Sequence, residues 1–336
     1  MTIQTEKFTC SQVAIIGRPN AGKSTLLNSM MESDLSGVSP RAQTTRKNIR
    51  GILNFYENEK SKENKKWGGQ LVLVDTPGVN LRRGLLDRSM YTAIESALDS
   101  VELICWVADA REWAEELENL EFDRPGDDRL TVWLKEQVTR KYQAKKWFLV
   151  LTKADLMEKA ELLPLMEKTA KVIPQFSDII PVVGRKKISD KDSNLEALVG
   201  LLRNSSPVAA PLFAEEEWTD LSERELLLNL LREAIFCTNY KEVPYECECQ
   251  ISNWKEATAE GLRTEIDAEI VVSRDSLKAI LIGKSGSRIK EVGTMTRRRF
   301  EQVTGTEAIL RVQVKVTDRW MERAPVLREM GYELRE

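Results

Sequence analysis

Histidine is absent from all 336 residues. Its absence excludes Ser–His–Asp and Cys–His nucleophilic catalysis and every metal site built on imidazole. Cysteine is scarce, with five scattered residues. An odd, dispersed set fits a reduced, cytosolic chain better than a disulfide framework. No apolar run approaches the ~20 residues that span a bilayer. The opening MTIQTEKFTCSQVAIIG lacks a signal-peptide core, because Lys7 and its polar neighbours interrupt it. Chemistry must therefore rest on backbone amides, Lys, Asp, Ser, Thr or a bound hard cation.

Hydrophobic residues make up 42% and charged residues 31%. That is enough apolar material for packed cores, and the length suggests two or three domains. The net charge of −3 hides a strong partition. Residues 213–272 carry 5 basic against 15 acidic side chains, whereas residues 273–336 carry 14 against 9. Between 278 and 300 lie seven cations (Lys278, Lys284, Arg288, Lys290, Arg297, Arg298, Arg299) and one acid, Glu291. Such a basic pole suits a polyanionic partner.

The first two-thirds alternate short apolar runs with helical patterns. VAIIG (13–17), LVLVD (71–75), LICWVAD (103–109), WFLVLT (147–152) and IIPVVG (179–184) read as buried strands of a largely parallel sheet. GLLDRSMYTAIESALDS (84–100), LTVWLKEQVTRKY (130–142) and SNLEALVGLLR (193–203) read as helices, the last opening on a capping box, Ser193…Glu196. This alternation predicts a doubly wound α/β domain over 1–205. Trp106, Trp133 and Trp147 are expected in its core. Two inserts, 57–69 and 111–128, are expected to be an exposed hairpin loop and a solvated excursion. A Pro- and acid-rich linker, 206–222, precedes residues 223–336. There the pattern is helix, strand, strand, helix, helix, strand. In YECECQIS (245–252), Cys247 and Cys249 fall on the buried face and Glu246, Glu248 and Gln250 on the other. Two buried thiols do not complete a zinc site.

GRPNAGKS (Gly17–Ser24) fits G-x-x-x-x-G-K-[ST] between a strand and the helix KSTLLNSMM. Its backbone amides can cradle phosphates, Lys23 can neutralise them, and the Ser24 hydroxyl can ligate Mg²⁺. DTPG (Asp75–Gly78) follows LVLV. Asp75 can hold Mg²⁺ through a water, and the Gly78 amide can face a terminal phosphate. TKAD (Thr152–Asp155) follows WFLVL. Asp155 can accept two hydrogen bonds from guanine, and the Lys153 stem can lie across the base. In RAQTTRKNIRG (41–51), Thr45 is the expected switch threonine that closes on Mg²⁺, with Thr44 its rival. Val79 stands where a water-orienting glutamine would follow DTPG, so intrinsic hydrolysis is expected to be slow. Asn20 suits either a K⁺ contact or simply a turn.

In the C-terminal part, Gly283-Lys284-Ser285-Gly286 joins two helices. A G-x-x-G turn flanked by Ile282, Arg288, Ile289, Lys290 and Arg297 fits an RNA backbone, with bases laid over an apolar groove.

GRPNAGKSTLLN, RAQTTR, LVDTPG, VPYECECQI, LIGKSGSRIKEVG and WMERAPVLREMGY together resemble the Era family of bacterial GTPases over nearly the whole chain. The resemblance implies an α/β P-loop GTPase domain followed by a small α+β KH domain. It implies GTP hydrolysis with Mg²⁺ and binding of the 3′ end of small-subunit ribosomal RNA. Maturation of the immature small ribosomal subunit follows, in the cytoplasm, with occasional peripheral contact at the inner membrane face; a monomer is expected. By resemblance, Gly17, Arg18, Pro19, Asn20, Ala21, Gly22, Lys23, Ser24 and Thr25 take the phosphates of GTP or GDP. Asp75, Thr76, Pro77, Gly78 and Val79 form the second loop. Thr152, Lys153, Ala154 and Asp155 take guanine, and Lys23, Thr45 and Gly78 serve catalysis. Two features depart from the family. Thr152 stands in place of an asparagine, and VVGRKKIS (182–189) replaces the late Ser-Ala loop, with the Gly184 amide left to meet the base. An RNA chaperone with a weak or idle nucleotide site, or a membrane-surface GTPase, are the rival readings.

Overall fold

The computed structural model describes residues 8–33, 35–37, 45–57, 66–79, 84–121, 129–240, 242–257 and 263–334. By compactness the chain forms two units. The first comprises Met1–Leu35, Asn48–Leu81 and Ala93–Asp220; the second comprises Ser36–Lys47, Arg82–Thr92 and Leu221–Glu336. Two short stretches of the N-terminal part thus belong with the C-terminal unit, whereas the sequence suggests a single cut.

In the first unit the elements run β1 (Thr9–Gly17), α1 (Lys23–Met31), β2 (Ile49–Glu57), β3 (Lys66–Asp75), α2 (Leu85–Ser100, whose N-terminal part through Thr92 groups with the second unit), β4 (Leu103–Asp109), α3 (Ala110–Glu121), α4 (Arg129–Glu136), β5 (Lys146–Thr152), α5 (Lys159–Val172), β6 (Phe176–Pro181) and α6 (Leu195–Ser205). The sheet order is β2-β3-β1-β4-β5-β6. All pairings are parallel except β2 with β3, an antiparallel hairpin in which Glu57 faces Lys66. The expected loop between those strands lies outside the described residues. Val13 to Ile16, Leu71 to Val74, Leu103 to Val107 and Trp147 to Leu151 are buried. Continuous apolar strands are what a sheet covered on both faces requires. The three tryptophans expected in the core are there.

Several details differ from the sequence expectation. The insert at 111–128 is not a solvated excursion where it is described. Ala110–Glu121 is a helix that buries Trp113 and Leu117, and the Trp113 indole donates to Thr169 Oγ1 at 3.0 Å. The helix expected at 130–142 ends as α-helix at Glu136 and continues as one π turn, Gln137–Lys141. The capping box at Ser193 does not form. Asn194, at φ 56°, takes the cap position with no side-chain cap bond. The 206–220 stretch is a strap fastened along the first unit. The Gln70 carboxamide oxygen accepts from Leu212 N and Phe213 N at 2.9 and 3.1 Å, the Ile52 amide donates to Trp218 O, and Arg50 pairs with Asp220 at 2.6 Å.

In the second unit the order is α7 (Glu223–Thr238), β7 (Cys247–Lys255), β8 (Thr264–Val272), α8 (Asp275–Ile282), α9 (Ser287–Thr304), β9 (Ala308–Val316) and α10 (Ala324–Glu329). The sheet runs β7-β8-β9, antiparallel then parallel. α7 opens on a complete capping box. Ser222 Oγ accepts from Glu225 N, and the Glu225 carboxylate accepts from Ser222 N. Leu231, Ile235, Cys247, Cys249, Ile270, Leu277, Leu281 and Val292 form the core. The far face of β8 and β9 is polar and self-neutralising. Arg311 pairs with Glu265 and Asp267, and Lys315 with Glu269.

Candidate nucleotide and RNA sites

The first site forms at the carboxyl ends of β1, β3 and β5, where parallel α/β sheets leave their crevice. β1 delivers Gly17 and the loop Arg18–Ala21; Gly22 caps α1, whose first turn carries Lys23, Ser24 and Thr25. Asn20 sits at φ 65° and is exposed. A left-handed turn of this kind favours asparagine. Lys23 is 6% exposed, and its ammonium donates to Gly17 O and Arg18 O at 3.2 and 2.8 Å. Burial lowers its pKa to about 8, and the Asp75 carboxylate offsets only part of that.

Asp75 ends β3. Ser24 Oγ donates to Asp75 Oδ2 at 2.7 Å. Two hard oxygens that close beside a phosphate loop fit Mg²⁺, which prefers few protein oxygens plus phosphate and water. Thr76 ties its loop to β1, Oγ1 donating to Ile15 O at 3.0 Å, and Val79 N donates to Gly17 O at 3.0 Å. A Cβ on Gly78 would lie 2.8 Å from the Pro19 backbone, so the Asp75–Gly78 and Gly17–Ser24 loops meet only because residue 78 is glycine. Val79 is buried.

Thr152, Lys153 and Asp155, the residues expected at the base, line a pocket with Gly22, Thr25, Leu156, Gly184 and Arg185. The Thr152 hydroxyl lies 2.6 Å from Ala21 O and 3.1 Å from Ala108 O. Threonine thus keeps the clamp on the phosphate loop with its single O–H. Lys153, in left-handed backbone at φ 52°, pairs with Asp109 at 2.8 Å; Ala154 N donates to Val182 O. Asp155 carries an ion pair to Arg185 from the replaced loop, and Gly184 O accepts from Ser29 Oγ. Asp109, Arg185 and the Arg18–Glu116 pair escape sequence reading. Asp109 ends β4, Arg185 follows β6, and Glu116 lies within α3, so only the first two carry a positional hint.

Thr45 is buried in the second unit, its hydroxyl 3.5 Å from Ser36 Oγ; the structure groups it apart from Ser24 and Asp75. Thr44 lies outside the described residues.

The second site is the turn between α8 and α9. Gly283 has φ 71°, and a Cβ there would sit 2.8 Å from Arg288 Cβ, so the turn needs glycine. Ser285 and Gly286 are also left-handed, at φ 51° and 75°. Ile282 ends α8, Ile289 packs on the core, and Ile280 is 39% exposed beside the turn. Lys284 and Lys290 project into solvent. Arg288 Nη1 reaches Ile280 O at 3.4 Å; Arg297 is held by Glu301, and Arg299 by Glu233. The cations near the turn are therefore less neutralised than those of the sheet face.

A phosphate-cradling α/β unit followed by a helix–GxxG–helix α+β unit defines a P-loop GTPase carrying a KH domain. The family described as 50S ribosome-binding GTPase matches residues 12–153, and the KH domain family matches residues 242–321. GTPase Era of Trichlorobacter lovleyi is 35% identical over 322 residues, covering 96% of this chain and 97% of its own. GTPase Era of Stenotrophomonas maltophilia is 35% identical over 326 residues, with 96% and 97% covered. Two solved structures superpose with a TM-score of 0.83 over 97% of this chain and the whole of theirs. One is a point variant of Aquifex aeolicus Era bound to GDP·AlF4⁻, at 31% identity; the other is Era with MgGDPNP and nucleotides 1506–1542 of 16S ribosomal RNA, at 32%. The chain belongs to the Era GTPase family.

Proposed function

We propose that the protein is a GTP-hydrolysing switch that binds the 3′ end of small-subunit ribosomal RNA and assists maturation of that subunit. The grouping of Lys23, Ser24 and Asp75 at the phosphate loop, with Asp155 in a pocket lined by Gly22 and Thr25 of the same loop and helix start, carries the reading. The Era structure solved with MgGDPNP and a 16S fragment supports its extension to RNA.

GTP lays its phosphates along Gly17–Thr25, and Lys23 exchanges its two carbonyl acceptors for phosphate oxygens. Ser24 and Asp75 would hold Mg²⁺, with Thr45 the switch threonine for the GTP state, and the metal would supply positive charge where the leaving phosphate oxygens gain negative charge. Gly78 N donates to the γ-phosphate. Water attacks phosphorus, the bond to the β–γ bridging oxygen breaks, and GDP and phosphate leave. Buried, apolar Val79 orients no water, so the rate is slow until another element or partner does so. Asp155 accepts from the guanine edge, and Lys153 and Thr152 hold the pocket wall. A K⁺ ion beside Asn20 would add charge over the same phosphates. RNA lies on Ile282–Ile289, its phosphates meeting Lys284, Ser285, Arg288 and Lys290. The protein acts in the cytoplasm as a monomer and touches the membrane peripherally. Among the described residues no helix is long and apolar enough to cross a membrane.

The test is the double substitution Lys284→Asp with Ser285→Asp. Binding of a labelled RNA matching the 3′ tail should fall at least about a hundredfold, since two backbone-contacting groups become anions. GTP hydrolysis, followed in potassium and in sodium buffer, should be retained. Undiminished RNA binding would refute the proposed surface.

A further inference from the structure

The stretch Ser36–Lys47 carries the expected switch threonine, yet it belongs to the second unit. The residue after Thr45 explains why. The Arg46 side chain is wholly buried there. Its guanidinium donates to Cys247 O at 2.7 Å, Tyr245 O at 2.8 Å, Pro244 O at 3.3 Å and Glu248 Oε2 at 3.1 Å, and it lies 5.9 Å from the Trp320 ring. Lys47 adds a bond to Met330 O at 2.8 Å. The stretch Arg82–Thr92, which follows the Asp75–Gly78 loop in sequence, belongs to the same unit. Leu86 and Met90 pack with Val271, Trp320, Leu327 and Tyr332. Both stretches adjoining phosphate-sensing loops are therefore seated in the RNA-binding unit.

The charge count at this seat is uneven. Glu248 is already held by Arg232 and by the Tyr332 hydroxyl. Burial would raise its pKa, but Arg232, and after it Arg46, hold it down to about 2. Two guanidinium groups thus share one carboxylate, and Arg46 is the surplus cation. Vacating the seat would cost Arg46 its acceptors without orphaning Glu248. A purely structural ion pair lacks that property, because removing one partner leaves an uncompensated buried charge. A planar guanidinium aimed at three carbonyls is either seated or not.

We propose that Arg46 is a positioning residue whose seat against Glu248 ties the Thr45 stretch to the RNA-binding unit, so that nucleotide state and RNA affinity depend on each other. This rests on the functional reading above and names the residue that carries the coupling. Coupling between two ligands is reciprocal and amounts to about 5–150-fold in affinity.

The experiment uses the full chain, the labelled 3′-tail RNA, and GDP or a non-hydrolysable GTP analogue. Wild type should bind RNA at least about fivefold tighter in one nucleotide state than in the other. Arg46→Met should bring the two affinities within about twofold of each other, and RNA should cease to alter nucleotide affinity. Arg46→Lys, which keeps the charge but loses the fork, should give an intermediate ratio and serves if the Met variant does not fold. A folded variant with the wild-type ratio would overturn the proposal. So would a wild type with equal affinities, although RNA binding as such would then leave the functional reading standing. RNA bound by wild type in neither state would sink that reading and the proposal together.

Discussion

Lys23 is a buried cation waiting for an anion, and its cost can be measured. Holding its pKa at about 8 instead of 10.5 disfavours the ammonium in the nucleotide-free protein by about 3 kcal/mol. The sign follows from which state holds the proton. Below pH 8 the folded and unfolded chains are both protonated at this site, and the penalty is present in full. Between pH 8 and 10.5 the folded chain loses its proton first, so stability gained from this residue rises with pH. Lys23→Met should therefore be more stable than nucleotide-free wild type by up to about 3 kcal/mol at pH 7, less the two carbonyl bonds lost. That advantage should shrink as pH approaches 10. Phosphate oxygens restore the charged form, so binding takes up a proton above pH 8. Wild-type GDP affinity should then be about tenfold weaker at pH 9 than at pH 7. Urea unfolding of the nucleotide-free proteins and GDP titrations at several pH values supply both curves. A GDP affinity flat from pH 7 to pH 9, with an unfolding difference that does not move with pH, would refute the argument.

Asp155→Asn should weaken GDP binding about a hundredfold, since it replaces two charge-assisted hydrogen bonds, and should collapse the preference for GTP over ATP in competition titrations. Ser222→Ala should lower the stability of the second unit by about 1 kcal/mol, because the complete capping box of α7 is lost; denaturant unfolding monitored by far-ultraviolet circular dichroism reads it.

The first unit is legible because its signals are local. Apolar runs of five to seven residues mark β1, β3, β4 and β5, and the phosphate loop sits where a strand meets a helix. What stayed hidden depends on partners far along the chain. AREWAEELENLE reads as a solvated acidic run, and only Trp113 and Leu117, four apart, betray its buried stripe. Glu248 falls on the polar side of an alternating strand, so sequence reading leaves it in water. Its cover comes from Arg46, Arg232 and Tyr332, and two of those lie 202 and 84 residues away. The strap at 206–220 reads as a linker because the carboxamide that fastens it, Gln70, is an ordinary strand residue. Two similar Ser-x-x-Glu patterns also behave differently. The box forms at Ser222, while at Ser193 a left-handed Asn194 claims the cap.

The thiols offer a kinetic consequence. Cys10 and Cys105 are buried in the first unit, Cys247 and Cys249 in the second. Burial pushes Cys105 and Cys247 up to about 12, so the reactive thiolate is suppressed as well as shielded. Alkylation of these four must wait for the backbone around them to open. The half-buried Cys237 at the end of α7 reacts without that delay. A single labelling time course read by peptide mass therefore contains two independent clocks, one for the opening of each unit. Adding nucleotide or RNA separately shows which clock each ligand slows.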